Sequence, residues 1–242
     1  HRRLRGVLNP GFKPADLQAR RGDITALAQR LADDIVTDPQ AARGFDFIAR
    51  FARPLPALVI AQLMGLPDRV PAEFIDWAAD LAAFIGSPTP DATQTLAAQQ
   101  AMRNLCDFFS QALARADELP EACLLRGLLQ AHASGQLNRN ELLAQCSTLL
   151  FAGYETTRNL LGNGVLALLQ DPAQWAALKA RQADPAALRM AVREMLRHDS
   201  PVQYTGRRLL QEVSLAGQRL QRGQLAILHI GQANRDARRF RD

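Results

Sequence analysis

Residues 138 to 170 read NRNELLAQCSTLLFAGYETTRNLLGNGVLALLQ. Apolar side chains recur in this stretch at steps of three and four residues, which is the periodicity of an α-helix, and Asn138 or Asn140 is suited to cap its start. Around Leu149 to Phe151 the pattern is apolar on nearly every side, which is typical of a helix buried at the centre of a domain. About thirty residues at about 1.5 Å each span on the order of 45 Å, enough to cross a domain. The sequence therefore predicts a long central helix that ends near Gln170.

Helical periodicity covers most of the remaining chain, with breaks at proline and glycine. After Ser200-Pro201 short apolar runs predict strands, with a turn at Ala216-Gly217. We predict a mainly α fold, organised around the long central helix, with a small antiparallel β-meander, as one domain over residues 1–242. One further predicted helix begins after a cap at Asp23, and another follows Pro120. The remaining predicted helices cover 58–64, 74–84, 91–116, 172–181 and 185–198. The predicted strands are 204–210, 212–215, 219–220 and 225–230.

Composition argues against several classes of partner. The chain carries 29 Lys and Arg residues against 24 Asp and Glu residues, for a net charge of +5, but the arginines are dispersed, so we expect no nucleic-acid partner. No uncharged apolar run is long enough to cross a membrane and no secretory signal is present, so we expect no membrane association. Cys106, Cys123 and Cys146 lack metal-site spacing and fit reduced thiols, so we expect a cytoplasmic protein with no metal ligands among these residues.

Polar residues interrupt the centre of the long helix at 152–157, which read AGYETT. A glycine inside a helix costs about 1 kcal/mol relative to alanine, and a carboxylate in apolar surroundings needs a partner or water. One interpretation is structural: Gly153 admits a neighbouring helix and Glu155 faces a wet cleft. The other is functional: a ligand lies against Gly153, with an acid and a hydroxyl beside it to handle protons.

The pattern Ala152-Gly153-x-Glu155-Thr156 resembles the distal oxygen-activating motif of the cytochromes P-450, whose central helix crosses over the haem. The resemblance implies that Ala152 and Gly153 lie against the haem. It also implies that Glu155 and Thr156 are catalytic residues that deliver protons to dioxygen bound on the haem iron.

Three further residues resemble haem-binding positions of the same family. His1 and Arg5 match its H-x-x-x-R helix, and Arg207 matches an arginine on the first strand after the last long helix. In the family these residues bind the haem propionates, and a guanidinium suits a carboxylate because it offers a bidentate fork of donors. Without the resemblance, His1 and Arg5 belong to a frayed basic terminus and Arg207 to a strand edge.

Two more patterns follow in the family's order. Glu194-x-x-Arg197 resembles the family's structural helix pair, since residues three apart share a helix face. Ala233-Asn234-Arg235-Asp236 is similar to a segment that follows the last strand. The resemblance, closest to soluble bacterial members, therefore extends over the whole chain.

The family's cysteine loop, F-x-x-G-x-x-x-C-x-G, which presents the thiolate ligand of the haem iron, has no match before Asp242. We therefore expect a chain truncated at both ends, without the N-terminal part and the cysteine loop. The resemblance implies a monooxygenase that inserts one oxygen atom of dioxygen into a small hydrophobic substrate, with haem and with electrons from a ferredoxin or similar partner. We expect residues 1–242 alone to be inactive and to form a homodimer through exposed apolar surface. The alternative is a non-catalytic helical protein derived from the family, or an interaction module.

Overall fold

The structure is a computed structural model that describes residues 2–66, 70–87 and 89–240. The predicted site residue His1 lies outside this range, as do the predicted breaks at Pro67 and Pro88. The chain divides into two compact units, His1–Arg158 and Asn159–Asp242, which are described separately below. The organisation of 1–242 as a single domain stays a prediction.

The described part of the first unit is built mainly from α-helices, as predicted, and its connections contain 3₁₀ helices at Asn9–Phe12, Ala41–Arg43 and Ala116–Glu118 and a π-helix at Ile48–Ala52. Apolar residues at helical spacing on each element supply the buried faces. The helices are α1 (Arg2–Leu8), α2 (Pro14–Ala19), α3 (Arg21–Val36), α4 (Pro54–Met64), α5 (Ala72–Gly86), α6 (Ala92–Ala114), α7 (Leu124–Ala133) and the first part of α8 (Arg139–Gln170).

The core of this unit is centred on aromatic residues of α5 and α6. Phe74 and Phe109 are fully buried, and the ring of Phe108 lies 5.0 Å from that of Phe74 and 5.4 Å from that of Phe109. Such aromatic pairs contribute about 0.5–1.5 kcal/mol each beyond the apolar area that they bury. Leu150 and Tyr154 of α8 belong to the same buried cluster. The predicted burial of the long helix is therefore confirmed for its half within this unit.

Side chains cap the starts of α6, α7 and α8 in this unit, whereas α2, α3, α4 and α5 begin without a side-chain cap bond. Asn138, and not Asn140, caps α8: its side chain accepts a bond from the Glu141 amide at 2.9 Å, and Glu141 accepts one from the Asn138 amide at 3.0 Å. Asp91 caps α6 in the same way. The predicted cap at Asp23 is wrong, because α3 begins at Arg21 and Asp23 lies in its first turn.

An ion pair joins α1 to the start of α8. Arg3 binds both carboxylate oxygens of Glu141, one of them at 3.1 Å, and also donates to the carbonyl of Gln136. The hydrogen bond from Arg3, together with that from the Asn138 amide, lowers the pKa of Glu141 to about 2. The folded chain therefore stabilises the ionised form of Glu141 more than its protonated form.

This shift predicts an acid-dependent loss of stability. A lowered folded-state pKa stabilises the fold above the unfolded pKa of about 4.3, and the contribution disappears as pH falls toward about 2. Glu141→Gln is therefore expected to reduce the free energy of unfolding at neutral pH, and the difference from the parent should shrink as the pH falls. Urea unfolding at several pH values measures it. Glu121→Gln, at an exposed side chain, is the control; equal pH dependence of the two variants would contradict the assignment.

The second unit contains the end of α8, two further helices and four short strands. The elements are α9 (Pro172–Ala180), α10 (Pro185–His198), β1 (Tyr204–Arg208), β2 (Val213–Leu215), β3 (Gln218–Leu220), β4 (Leu225–His229) and α11 (Ile230–Asn234). Asp171 and Asp184 cap α9 and α10, each before a proline in the first turn. The predicted helices and strands are confirmed within a few residues at each end.

The antiparallel pairing is confirmed, but the strand order is not that of a meander. β1 pairs with β4, from Tyr204 opposite His229 to Arg208 opposite Leu225, while β2 and β3 form a separate hairpin. Positive φ angles at Ala216 and Gly217 make the tight turn of that hairpin. Backbone hydrogen bonds between Leu209 and residues 223–224 extend the β1–β4 pairing. In a meander β1 would pair with β2, whereas here it pairs with β4.

No helix in the described ranges is long and apolar enough to span a membrane.

Candidate functional site

The predicted distal residues lie on one turn of α8 within the first unit. Ala152 is exposed, whereas Glu155 and Thr156 are half-buried. The Thr156 hydroxyl donates to the Ala152 carbonyl at 3.0 Å, and Thr148 makes the equivalent bond to Ala144 at 2.7 Å. Small side chains at positions 144, 148, 152 and 156 therefore form a stripe along one side of the helix, and the first three of these positions are exposed.

Gly153 lies on a different side of the helix from this stripe. A Cβ atom at Gly153 would fall 2.8 Å from Cγ1 of Ile60 and closer still to its Cδ1. The missing side chain thus lets α4 pack against α8, as the structural interpretation requires. A role for Gly153 in cofactor binding stays a prediction.

The close approach predicts a cost for Gly153→Ala. The added methyl group must displace Ile60, so we expect a destabilisation of about 1–3 kcal/mol, although alanine is the better helix former. Gly127→Ala is the matched control, because Gly127 lies inside α7 with no atom within 4 Å of the added Cβ. That change is expected to stabilise the fold slightly. Urea unfolding of both variants decides the point, and a neutral or stabilising Gly153→Ala would refute the packing account.

The Glu155 carboxylate is held by a residue that sequence reasoning missed. Nη2 of Arg158 lies 2.6 Å from Oε1 of Glu155, and the two side chains are 25% and 22% exposed. The guanidinium also sits over the Tyr154 ring, 5.5 Å from its centroid. A signal was present, because Glu155 and Arg158 have the three-residue spacing of a helical ion pair.

Tyr154 anchors this arrangement in the core. Its ring is fully buried, and its hydroxyl lies near the guanidinium of Arg53, the residue directly before α4. Burial lowers the pKa of Arg53, but the Tyr154 hydroxyl and the neighbouring Asp76 carboxylate outweigh it and raise the pKa. The distal turn is therefore packed against charged and aromatic side chains of the same unit.

The predicted propionate-binding arginines are both exposed. Arg5, on α1, makes no hydrogen bond or ion pair with any residue that the structure describes. Arg207, on β1, donates from Nη1 to the Thr205 hydroxyl and to the Gly206 carbonyl, each at 2.8 Å, so its side chain folds back on its own strand. Arg5 and Arg207 belong to different units, and their roles stay predictions.

The predicted structural pair on α10 is formed. Arg197 donates to both oxygens of Glu194, at 2.9 and 2.7 Å, and a third nitrogen donates to the Asn234 carbonyl at 2.8 Å. The guanidinium also lies over the ring of Phe240, 5.0 Å from its centroid. Arg197 thus connects α10 to the segment after β4.

The segment Asn234-Arg235 completes that connection. Asn234 donates to the Ser200 hydroxyl at 2.8 Å, and Arg235 donates to the His198 carbonyl at 2.8 Å, at the end of α10. The sequence pattern marked this segment only as a resemblance. Its contacts identify a structural role in holding the end of α10.

A groove of about 770 Å³ also lies in the second unit, between the end of α8, α9 and α10. Its wall is mostly apolar and includes Gly164, Met190 and Met195. Among the predicted site residues that the structure describes, Glu194 is in the lining of this groove, and the distal residues of α8 are not.

The three cysteines are buried or half-buried and unbridged. Cys146 is fully buried in α8, and this burial raises the pKa of its thiol to about 12. Burial, followed by the nearby Asp107, raises the pKa of Cys106 on α6. Cys123 is the N-cap of α7, where its sulfur accepts a bond from the Arg126 amide. These thiols are placed for packing rather than for thiolate chemistry.

Comparison with known proteins agrees with the resemblance found in the sequence. Residues 83–242 match the family model described as Cytochrome P450. The chain is 31% identical, over 99% of its length, to Cytochrome P450 CYP107DY1 of Priestia megaterium, and it covers 56% of that protein.

Solved structures show the same fold. The crystal structure of CalO2 superposes with a TM-score of 0.84 at 34% identity, over 100% of this chain and 59% of the other. P450BioI, solved in complex with acyl carrier protein ligated to hexadec-9Z-enoic acid, gives 0.82 at 30% identity, over 99% of this chain and 60% of the other. The chain thus spans little more than half the length of the relatives it matches.

Proposed function

This chain belongs to the cytochrome P450 family, and from that premise we propose that the protein carrying it is a haem-thiolate monooxygenase acting on a small hydrophobic substrate. The observation that supports this most is the distal turn of α8. There an acid, Glu155, and a hydroxyl, Thr156, stand beside an exposed small residue, Ala152.

Haem is the cofactor that the family implies, and the residues present fit it in two respects. The stripe that includes Ala152 and Thr156 carries only small side chains, which suits the close approach of a flat ring. Arg5 and Arg207 expose guanidinium groups, which suit propionate carboxylates. We propose that these residues hold the haem, with His1 and Gly153 as the remaining predicted contacts.

When bound, haem with a thiolate ligand would supply the oxygen chemistry, which side chains cannot perform without a cofactor. The side chains supply protons and orientation. Glu155 is the proton carrier: its carboxylate is half-buried and fixed by Arg158. The Thr156 hydroxyl donates its hydrogen bond to the Ala152 carbonyl. Its oxygen is therefore still able to accept a hydrogen bond from a molecule bound beside the stripe.

We propose that the thiolate that would bind the haem iron comes from a cysteine outside residues 1–242. Burial raises the pKa of the Cys146 thiol, and burial together with the nearby Asp107 raises the pKa of the Cys106 thiol, so both favour the protonated form, while Cys123 serves as a helix cap. A polypeptide limited to residues 1–242 is therefore expected to be inactive as a monooxygenase.

For the substrate we propose a small apolar molecule. Phe151, which precedes the distal turn, packs against the apolar core of its unit, and one relative is solved with a fatty acid carried on acyl carrier protein. Electrons are proposed to come from a ferredoxin or a similar protein, and the protein is proposed to be cytoplasmic.

A homodimer is proposed as well, supported by exposed apolar residues of the second unit: Leu210, Leu215, Leu225 and Leu228.

The second candidate is a non-catalytic helical protein of the same family. Isotope labelling separates the two. The full-length protein is given ¹⁸O₂, a reduced ferredoxin and hexadec-9Z-enoic acid, and the products are analysed by mass spectrometry. A product with one ¹⁸O atom supports the monooxygenase. A haem-free protein, or one that yields no oxygenated product with this acid or with a panel of other small apolar compounds, supports the non-catalytic alternative.

A further inference from the structure

We infer that Arg158 is a positioning residue that fixes the Glu155 carboxylate for proton transfer, an inference that rests on the proposed function for its consequence. The starting point is the ion pair between Nη2 of Arg158 and Oε1 of Glu155, 2.6 Å apart. Arg158 follows the distal motif by less than one helical turn. It lies outside the pattern from which Glu155 and Thr156 were recognised.

The pair differs from ordinary surface ion pairs in its burial. The side chains of Arg158 and Glu155 are 25% and 22% exposed, whereas those of Arg181 and Asp184, a pair of the same spacing at 2.7 Å, are 65% and 40% exposed. Exposed pairs are screened by water and contribute little, while partial burial strengthens the attraction between the charges. The Glu155 carboxylate is therefore restricted in the orientations that it can adopt.

Arg158 is restricted in turn by the aromatic ring beneath it. Its guanidinium lies 5.5 Å from the centroid of Tyr154, whose side chain is fully buried. A guanidinium can stack on a ring and bind a carboxylate at the same time because it is planar; an ammonium group is compact and lacks that geometry. The ring, the guanidinium and the carboxylate thus form one ordered series on a single helix face.

The consequence concerns the chemical step rather than binding. A proton carrier must lie within hydrogen-bond reach of the group it serves, and displacement by about 1 Å lowers rates by about 100-fold. Loss of Arg158 removes the ion pair at Oε1 of Glu155 and widens the range of orientations that the carboxylate can adopt. Arg158 contacts Glu155 and Tyr154, and it is not proposed to touch the substrate, so kcat should fall while substrate affinity stays the same.

The test compares Arg158→Gln and Arg158→Lys with the parent full-length holoenzyme, and Arg181→Gln is the matched control. With hexadec-9Z-enoic acid as the probe, Arg158→Gln is expected to lower kcat about 10- to 100-fold, with the dissociation constant of the probe within about two-fold. Arg158→Lys keeps the charge but loses the planar fork and should recover part of kcat. Arg181→Gln should leave both quantities unchanged.

A second measurement does not depend on turnover. In protein labelled with ¹³C at the glutamate carboxyl carbons, the Glu155 resonance is assigned by its loss in Glu155→Gln. We expect this resonance to shift in Arg158→Gln and to keep its position in Arg181→Gln. An unshifted resonance would overturn the inference, as would unchanged kcat in an active enzyme. If the resonance shifts but the parent oxygenates no probe, the proposed function fails while the positioning of Glu155 stands.

Discussion

Glu155→Gln and Thr156→Val are each expected to lower the rate of product formation by the full-length protein at least about 100-fold, the usual contribution of a side chain positioned for proton transfer. Glutamine fills the same space as glutamate but cannot carry the proton. Valine has the shape of threonine without the hydroxyl, so it also loses the 3.0 Å bond to the Ala152 carbonyl. Product formed per electron consumed, measured alongside the dissociation constant of the substrate, reports the effect.

Thr157→Val is the control for both changes. Thr157 is the next residue on the same helix, is exposed, and carries the same side chain as Thr156. It lies outside the family pattern, so its replacement should leave product formation within about two-fold of the parent. Equal losses at positions 156 and 157 would show that the helix tolerates no valine in this turn, and would remove the support for a specific proton role.

Arg197→Ala is expected to lower the free energy of unfolding by about 3 kcal/mol, because it removes charge-assisted hydrogen bonds and a cation–π contact together. The side chain of Arg197 is only 15% exposed, and it binds Glu194, the Asn234 carbonyl and the ring of Phe240. Arg197→Lys should lose most of the same free energy, since an ammonium group cannot bind both carboxylate oxygens as a fork. Urea unfolding of the full-length protein measures both variants.

Arg193→Ala is the matched control for Arg197. Arg193 lies one turn earlier on α10, is exposed, and forms no hydrogen bond or ion pair with the residues that the structure describes. Its replacement should change the free energy of unfolding by less than about 0.5 kcal/mol. If Arg197→Ala were equally mild, the contacts of Arg197 with the segment after β4 would contribute nothing to stability.

Local sequence patterns predicted most of this fold because helices are local structures. The periodicity of residues 138–170 predicted α8, and its capping box is readable from Asn138 and Glu141 alone. Strand pairing is not local. The runs that form β1 and β4 predicted strands, but which strand borders which depends on bonds between residues about twenty positions apart, and the meander order was therefore wrong.

The candidate site shows the same division. The pattern at 152–156 marked the distal turn, but it left both interpretations of Gly153 open. The contact that bears on them comes from Ile60, which lies on another helix and cannot be read from the local sequence. Arg158 was overlooked although Glu155 and Arg158 have the same E-x-x-R spacing as Glu194 and Arg197. That spacing becomes informative only when the burial of the two side chains is known.

The spectrum of the reduced, carbon monoxide-bound protein tests the central proposal most directly. It is recorded for the full-length protein and for its Cys106→Ala, Cys123→Ala, Cys146→Ala triple variant, with circular dichroism to confirm that the variant keeps its helices. We expect the red-shifted Soret band of a thiolate-ligated haem in both, because the ligand is proposed to lie outside residues 1–242. A band typical of histidine ligation in the full-length protein, or loss of the thiolate band in a folded triple variant, would contradict the proposal.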